Sequence, residues 1–268
     1  MKKPKPPEKP ATSHDINSLA TELRYAGDRG AIERSCTEII DHIRTLALPQ
    51  EYLEFLEIGR APKRNFAQRF SSALAQKFAD ALRHEFPGIY PDESGRGHER
   101  RQQGAGGLKK LDVMYATVQA GLRLSISIKT INFKDEKTKR FTKNVKRVDG
   151  ELRAEASDCH RYNPYALLVG IVFFPLDASI DGSGGRSSLK HGWDVFRRRG
   201  GRKTSQEDPS LFELMFLAVY DASIEHFGEV RLFNVLTEPP DRGLPANLMT
   251  VAGVISAIVM MFKSRHAG

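Results

Sequence analysis

The chain has 268 residues, of which 40% are hydrophobic and 28% are charged. These proportions are typical of a globular protein and exclude a collagen-like chain, a wholly disordered chain and a small disulfide scaffold. The 41 Lys and Arg residues outnumber the 33 Asp and Glu residues and leave a formal net charge of +8, which favours a polyanionic partner and above all nucleic acid.

The cysteine content and the start of the chain indicate the compartment. Cys36 and Cys159 stand far apart and lack CxxC spacing, so they predict neither a disulfide framework nor a structural zinc cluster. A reducing, cytoplasmic location agrees with this. Residues 1–12 are rich in Lys and Pro and contain no apolar stretch typical of a signal peptide. We predict a disordered basic arm there.

The next part of the chain is predicted to be helical. Apolar residues recur at helical spacing over residues 13–61, interrupted by two glycines and a proline, and predict an N-terminal helical layer. A longer helix is predicted from Lys63 to Phe86, where Pro87 and the glycine after it end the pattern. Residues 62–268 are assigned to one α/β domain.

A long loop and a β-hairpin are predicted after this helix. Residues 87–107 hold six Gly and two Pro together with several Arg and His, which is typical of a functional loop. Beyond the loop, the apolar spacing changes from helical to alternating. Segments Leu108–Thr117 and Leu122–Asn132 therefore predict a β-hairpin around the short connection 118–121.

The rest of the chain predicts alternating elements. One helix and three strands are expected over Asn144–His160, Tyr165–Phe174, Leu211–Tyr220 and Glu229–Val235. The uncharged segment Leu244–Phe262 approaches the length of a membrane span but contains Pro, Asn, Thr and Ser, so we interpret it as a buried core helix and not as a membrane anchor. The predicted fold class is α/β, with a mixed β-sheet sandwiched by helices.

The hairpin carries the residues with the clearest chemistry. Alternation along its second strand puts Arg123, Ser125, Ser127 and Lys129 on one face. Depending on where the turn is centred, Asp112 stands opposite Ser127 or opposite Lys129. Either register brings a carboxylate, a hydroxyl and an ammonium together, whereas a slip by one residue separates them. Such a trio beside a strand carbonyl suits Mg²⁺ and phosphodiester hydrolysis.

These residues resemble a known nuclease motif. Lys110-Leu111-Asp112-Val113, followed 15 to 17 residues later by Ser127-Ile128-Lys129, resembles the PD-(D/E)xK nuclease superfamily, the fold of many type II restriction endonucleases. The order of helix, hairpin, helix and strand over residues 63–175 is similar to that core. The resemblance implies a Mg²⁺-dependent endonuclease in which Asp112 and the Ile128 carbonyl hold the metal. It also implies that Lys129 positions the attacking water.

The sequence departs from the family pattern at the second acidic residue. Ser127 stands where that acid is expected, and a leucine replaces the family's proline. Some restriction enzymes bring the acid from the following helix, where Glu151, Glu155 and Asp158 share one face. We predict Glu155 as the missing catalytic and metal-binding carboxylate, with Glu151 as the second candidate. Two acids from the preceding helix or loop remain as alternatives: Glu85 and Glu99.

Nine basic residues around this site are candidates for contacts with the phosphate backbone of DNA. Three precede Asp112 and six follow the second hairpin strand: Arg96, Arg100, Arg101, Lys134, Lys137, Lys139, Arg140, Lys143 and Lys146. The alternative is that this charged run is simply a solvated surface. A further basic group, Arg197–Lys203, is interpreted as a segment that becomes ordered on DNA.

The resemblance also implies partners. Restriction enzymes often pair two such domains, so we expect a homodimer that acts on double-stranded DNA, together with a cognate methyltransferase that protects the genome. Two alternatives remain open. Ser127 in place of an acid is compatible with an inactive nuclease fold that only binds DNA, and a repair nuclease or an RNA nuclease would use the same metal chemistry.

Overall fold

The computed structural model describes residues 60–97, 100–135, 137–182, 184–221 and 230–266. The predicted basic arm over residues 1–12 and nearly all of the predicted helical layer over residues 13–61 lie outside these ranges. In the described part, four helices accompany a five-stranded mixed sheet and a separate two-stranded ribbon. The predicted α/β class, with a mixed sheet and helices, is confirmed.

The bounds of the elements agree with the apolar spacing of the sequence for the longer helices and strands. Helices α1 to α4 span Arg60–Leu82, Val145–Tyr162, Ser188–Phe196 and Val251–His266. Strands β1 to β7 span Arg100–Gly104, Gly107–Leu111, Val113–Thr117, Gly121–Thr130, Leu167–Pro175, Leu214–Tyr220 and Val230–Asn234.

The main sheet has the order β3-β4-β5-β6-β7. Its three central strands are parallel, and the two edge strands are antiparallel to their neighbours. Parallel neighbours need a crossover connection, and α2 and α3 provide the two that are required. Strands β5 and β6 are buried at every position, as expected for parallel strands covered on both faces.

Helices cover both faces of the sheet. Helices α1 and α4 pack on one face, where Phe70 and Phe78 of α1 join Ile258 of α4 in the core. Helices α2 and α3 pack on the other, with Leu152 and Trp193 buried there. The interpretation of the C-terminal apolar segment as a core helix is therefore confirmed. Within the described ranges, none of the helices has both the length and the apolar character needed to cross a membrane.

The predicted hairpin forms, but its first strand is broken at Asp112. Strand β2 ends at Leu111 and pairs with β1, whereas β3 starts at Val113 and pairs with β4. Val113 pairs with Ile126, which sets Asp112 across from Ser127, the first of the two predicted registers. The strand before Asp112 therefore belongs to the ribbon, and the strand after it belongs to the main sheet.

Two elements are not evident from the sequence pattern. Residues 87–107, predicted as a loop, contain β1, whose sequence Arg-Arg-Gln-Gln-Gly lacks apolar alternation because the ribbon stands outside the main sheet. Helix α3, which contains Trp193, lies in a segment for which the sequence pattern predicts no element. Ser187 caps this helix by accepting a hydrogen bond from the N–H of Lys190 at 3.2 Å.

A buried ion cluster ties the sheet to the ends of α2 and α4. Glu213 is 3% exposed and accepts hydrogen bonds from Arg202 at 2.7 Å and from the N–H of Leu168 at 2.7 Å. Arg265 lies 2.9 Å from the same carboxylate, and the ring of His160 lies 3.3 Å from it. One carboxylate therefore pairs with two guanidinium groups, that of the buried Arg202 and that of the partly exposed Arg265.

This cluster corrects the interpretation of residues 197–203. Arg202 belongs to the buried cluster, and Arg199 donates to Asp149 of α2 at 2.6 Å. Both side chains are ordered by contacts within the protein, so the expectation that this segment becomes ordered on DNA is wrong for them.

We expect Glu213→Gln to lower the free energy of unfolding by about 3 kcal/mol, because it leaves the buried Arg202 and the partly buried Arg265 without this counter-charge. Urea denaturation near neutral pH measures this loss. Glu85→Gln is the control, since Glu85 forms an exposed pair with Lys263 and should contribute about 1 kcal/mol or less. Equal losses for the two variants would contradict the role of the buried cluster.

Candidate active site

A cleft of about 370 Å³ opens between α1 and α2 beside the end of β4. Asp112, Ile128 and Lys129 line it, together with small side chains of α1 and with Glu151 of α2. Three residues of the motif therefore face one common hollow, whereas Ser127 and Glu155 do not belong to its lining.

The carboxylate of Asp112 takes the place of a strand neighbour. The pairing of β3 with β4 ends at Val113 and Ile126, because the strand before Val113 belongs to the ribbon and not to the main sheet. Asp112 Oδ2 accepts a hydrogen bond from the backbone N–H of Ile128 at 2.7 Å, as a strand carbonyl does elsewhere in a ladder. The Ile128 carbonyl lies 3.5 Å from Ser71 Oγ, a long contact that leaves the carbonyl able to accept a further ligand.

Glu155 of α2 approaches the polar face of β4. Ser127 Oγ donates a hydrogen bond to Glu155 Oε1, and Lys129 Nζ donates to Glu155 Oε2 at 3.2 Å. The side chains of Lys129 and Glu155 are 21% and 13% exposed, so water screens this ion pair only weakly. Leu152 and Ala156, on either side of Glu155 in the helix, are buried, which turns the carboxylate toward the sheet.

Lys129 remains protonated although it is largely buried. Desolvation alone lowers its pKa, but the carboxylates of Glu155, Asp112 and Glu151 outweigh that effect and raise the pKa above its usual 10.5. Because Asp112 and Glu155 both raise the pKa of Lys129, both acids lie near the same ammonium group. The two negative charges of Asp112 and Glu155 stand against the single positive charge of Lys129, and Arg147 and Glu151 of the same cleft pair with each other.

The oxygen atoms at this site fit a magnesium ion. Mg²⁺ prefers oxygen ligands and is usually held by one or two protein carboxylates. Asp112, Glu155 and the Ile128 carbonyl offer such a set, because a carboxylate has about four lone-pair sites and only some of them accept the hydrogen bonds described above. Among the described residues, this site included, no group of three or more His, Cys, Asp or Glu side chains is placed to hold a metal ion, so the set here is limited to two carboxylates and one carbonyl.

The other acidic candidates occupy different positions. Glu151 lines the cleft but is exposed, and it pairs with an arginine one turn away. Asp158 accepts a hydrogen bond from a backbone N–H in the turn between β1 and β2, so it holds the ribbon instead of facing the cleft. Glu85 forms a surface ion pair with α4. Glu99 lies outside the described residues.

Most of the nine basic candidates are exposed, and some of them also contact other groups of the protein. Seven are exposed: Arg96, Arg101, Lys134, Lys137, Lys139, Lys143 and Lys146. Three contact other groups of the protein: Lys134 with Asp177 at 3.2 Å, Lys143 with Asp135 at 3.2 Å, and Arg140 with the carbonyl of Arg186. Arg96 is exposed and lies 3.4 Å from Asp92. The side chain of Arg100 lies outside the described residues.

Sequence reasoning missed Ser71 at this site. A single serine within a long amphipathic helix carries no functional signal, and only the packing of α1 beside β4 brings its hydroxyl to the Ile128 carbonyl.

Comparison of the chain with family models, with curated proteins and with solved structures gives no match. The resemblance to the PD-(D/E)xK superfamily therefore rests on the motif residues and on their arrangement in this fold.

We expect Glu155→Gln to lower the pKa of Lys129, because the substitution removes an opposing charge while desolvation remains. Heteronuclear NMR titration of the lysine side chain measures this pKa. Since the folded-state pKa is the higher one, the stability contributed by the charged Lys129 is full below pH 10.5 and is lost as the pH rises through the folded value. Asp177→Asn, which removes the partner of Lys134 instead, should leave the Lys129 titration unchanged. An unchanged pKa in Glu155→Gln would contradict the ion pair.

Proposed function

We propose that this chain is a Mg²⁺-dependent endonuclease of restriction type that hydrolyses phosphodiester bonds in double-stranded DNA. The observation that supports this most directly is the position of Glu155. It comes from the helix after the hairpin, accepts a hydrogen bond from Ser127 and pairs with Lys129. A carboxylate thus stands beside the position where Ser127 replaces the expected acid.

The topology around the site also supports a restriction-endonuclease-like core. Helix α1 precedes the hairpin of β3 and β4, α2 crosses over, and β5 returns parallel to β4. Asp112 immediately precedes β3, and Lys129 lies in β4. This arrangement is the one that the resemblance implies.

Each residue has a chemical role in this proposal. Asp112, Glu155 and the Ile128 carbonyl would hold Mg²⁺, which supplies Lewis-acid polarisation of the phosphate and a more acidic water. Lys129, protonated because of its raised pKa, donates hydrogen bonds to the attacking water and to an oxygen of the scissile phosphate. In this way it stabilises the negative charge that develops during the reaction. Ser127 holds the carboxylate of Glu155 in place.

The exposed basic side chains supply the DNA contacts in this proposal. Lys137, Lys139 and Lys146 follow β4 and precede or begin α2, whose Glu151 lines the cleft. Contacts of this type position the phosphate backbone without reading the sequence. The proposal includes a homodimer, since cutting both strands needs two such sites. It also includes a cytoplasmic location and a cognate methyltransferase.

One observation favours a second candidate function, a protein that binds DNA without cutting it. Both oxygens of Glu155 already accept hydrogen bonds within the protein, and Ser127 is not an acid. A repair nuclease or an RNA nuclease would share the proposed site, and parallel assays on DNA and RNA substrates separate these activities.

We expect the wild-type protein to nick supercoiled plasmid DNA when Mg²⁺ is present. Asp112→Asn, Lys129→Ala and Glu155→Gln should each lower the nicking rate by at least about 100-fold, because each removes a group that holds the metal or stabilises developing charge. The three variants should still bind DNA in the presence of EDTA. Glu85→Gln serves as the matched control and should cut at the wild-type rate.

Two results of this assay would contradict the proposal. Binding of DNA without nicking under Mg²⁺ or Mn²⁺ would favour the second candidate function. Cutting that persists in Lys129→Ala, or that needs no divalent metal, would overturn the assignment of the site.

Substitution of the exposed lysines tests the DNA contacts. We expect Lys137→Gln and Lys139→Gln each to reduce the slope of log binding constant against log salt concentration by about 1, because each removes one phosphate contact. Fluorescence anisotropy with a labelled duplex measures the slope. Lys263→Gln, on the exposed end of α4, should leave it unchanged. If neither substitution changes the slope, this segment is ordinary solvated surface.

A further inference from the structure

A second cavity, of about 450 Å³, lies at the opposite end of β4 from the candidate active site. It forms where the start of β4 meets the ends of α2 and α4, and its lining includes Arg123, Tyr162, Tyr165 and His266. Arg123 precedes Lys129 by six residues of one strand, about 20 Å at the rise of a β-strand. The cavity is therefore separate from the cleft.

Two buried nitrogen atoms in the lining of this cavity have no hydrogen-bond partner among the described residues: Arg123 Nε and His266 Nε2. Both side chains lie against one aromatic ring. The guanidinium carbon of Arg123 lies 5.5 Å from the centre of the Phe262 ring, and the centre of the His266 ring lies 4.4 Å from it. Buried polar atoms are nearly always paired, so two unpaired nitrogens in one cavity indicate a ligand that pairs them.

The other arginine of the cavity is used by the fold. Arg265 pairs with Glu213 and donates to the backbone carbonyls of Pro164, Tyr165 and Lys203. The guanidinium group of Arg123 instead lies over the ring of Phe262, a contact that is weaker than an ion pair. Arg123 is thus the guanidinium of this cavity that lacks an acidic partner in the described part of the chain, and it can take an anion.

Two accessible tyrosines form part of the remaining wall of the cavity. The residues Tyr162 and Tyr165 are 55% and 68% exposed, although each has a ring large enough to be buried in a core. Exposed aromatic rings beside a cation are typical of sites that stack a base and hold its phosphate. The volume falls within the range of small-molecule sites.

We propose that this cavity binds a nucleoside phosphate, with the phosphate group on Arg123 and His266 and the base against Tyr162 or Tyr165. The site does not depend on the nuclease proposal, because it uses none of the residues of the cleft.

His266 links this binding to pH. Burial lowers the pKa of His266, and the charges of Arg123 and Arg265 lower it further, whereas a hydrogen bond to the backbone of Arg123 and the charge of Glu213 raise it less. The free ring is therefore neutral near neutral pH. A hydrogen bond between Nε2 and a phosphate oxygen needs one proton, carried by the ring or by the phosphate. Binding takes up that proton and should tighten as the pH falls from about 8 to about 6.

Calorimetric titration of the full chain with AMP in EDTA tests the proposal. We expect one site per chain with a dissociation constant of about 1 mM or lower. Arg123→Met should weaken AMP binding by about tenfold or more. Tyr165→Ala and Tyr162→Ala together should also weaken it by about tenfold while leaving the weaker binding of inorganic phosphate unchanged. His266→Gln should reduce the pH dependence to the part that comes from the phosphate group of AMP itself.

Two control variants distinguish this site from other surfaces. Arg161→Gln changes an exposed arginine of α2 next to the cavity and should not alter AMP binding. Lys129→Ala changes the cleft and should leave it intact, so failure of the nuclease proposal and failure of this one are separable. A strand with a 5′-phosphate that binds more tightly than AMP identifies a strand end as the natural ligand, whereas tighter binding of AMP identifies a free nucleotide.

The melting temperature adds a second readout for Arg123. Because its buried Nε is unpaired, Arg123→Met should leave the melting temperature unchanged or raise it, whereas a structural role predicts a decrease. If that variant does not fold, the exposed tyrosine variants carry the test. The proposal is overturned if wild-type protein shows no saturable AMP binding up to about 5 mM. It is equally overturned if binding is lost in Lys129→Ala or in Arg161→Gln but persists in Arg123→Met.

Discussion

The hydrogen bond from the Ile128 N–H to the carboxylate of Asp112 allows two strands to separate at the candidate active site. Strand β3 begins only after Asp112, so β4 extends beyond Ile126, its last residue paired with β3. The carboxylate of Asp112 accepts a hydrogen bond from the Ile128 N–H, which this separation leaves without a strand partner. Ile128 itself lines the cleft. A buried donor left unpaired would cost about 1–3 kcal/mol, so the acidic side chain serves the fold and the site together.

The crossover between the parallel strands β4 and β5 supplies the rest of the site. Helix α2 must pack over the sheet to connect them, and its apolar stripe turns Glu155 toward Ser127 and Lys129. An ammonium at this depth is stable because carboxylates from two elements surround it. The same carboxylate charges keep Lys129 protonated.

The hairpin, the main helices and the association of Asp112 with Lys129 could be predicted from the sequence, because strand alternation and helical spacing depend on local apolar patterning. The break at Asp112 could not be predicted, since Leu111 and Val113 are both apolar and both buried, yet they belong to different sheets. Glu155 and Asp158 also look alike in sequence. Only the position of the ribbon decides that Asp158 binds its turn while Glu155 contacts Ser127 and Lys129 of β4.

The most direct test of this account is a crystal structure of the protein grown with Mn²⁺ as a magnesium substitute, with the metal located by anomalous scattering. The account predicts one metal peak at coordination distance from the carboxylates of Asp112 and Glu155 and from the carbonyl of Ile128. A cleft without metal at saturating Mn²⁺, or a metal bound without Asp112, would contradict it.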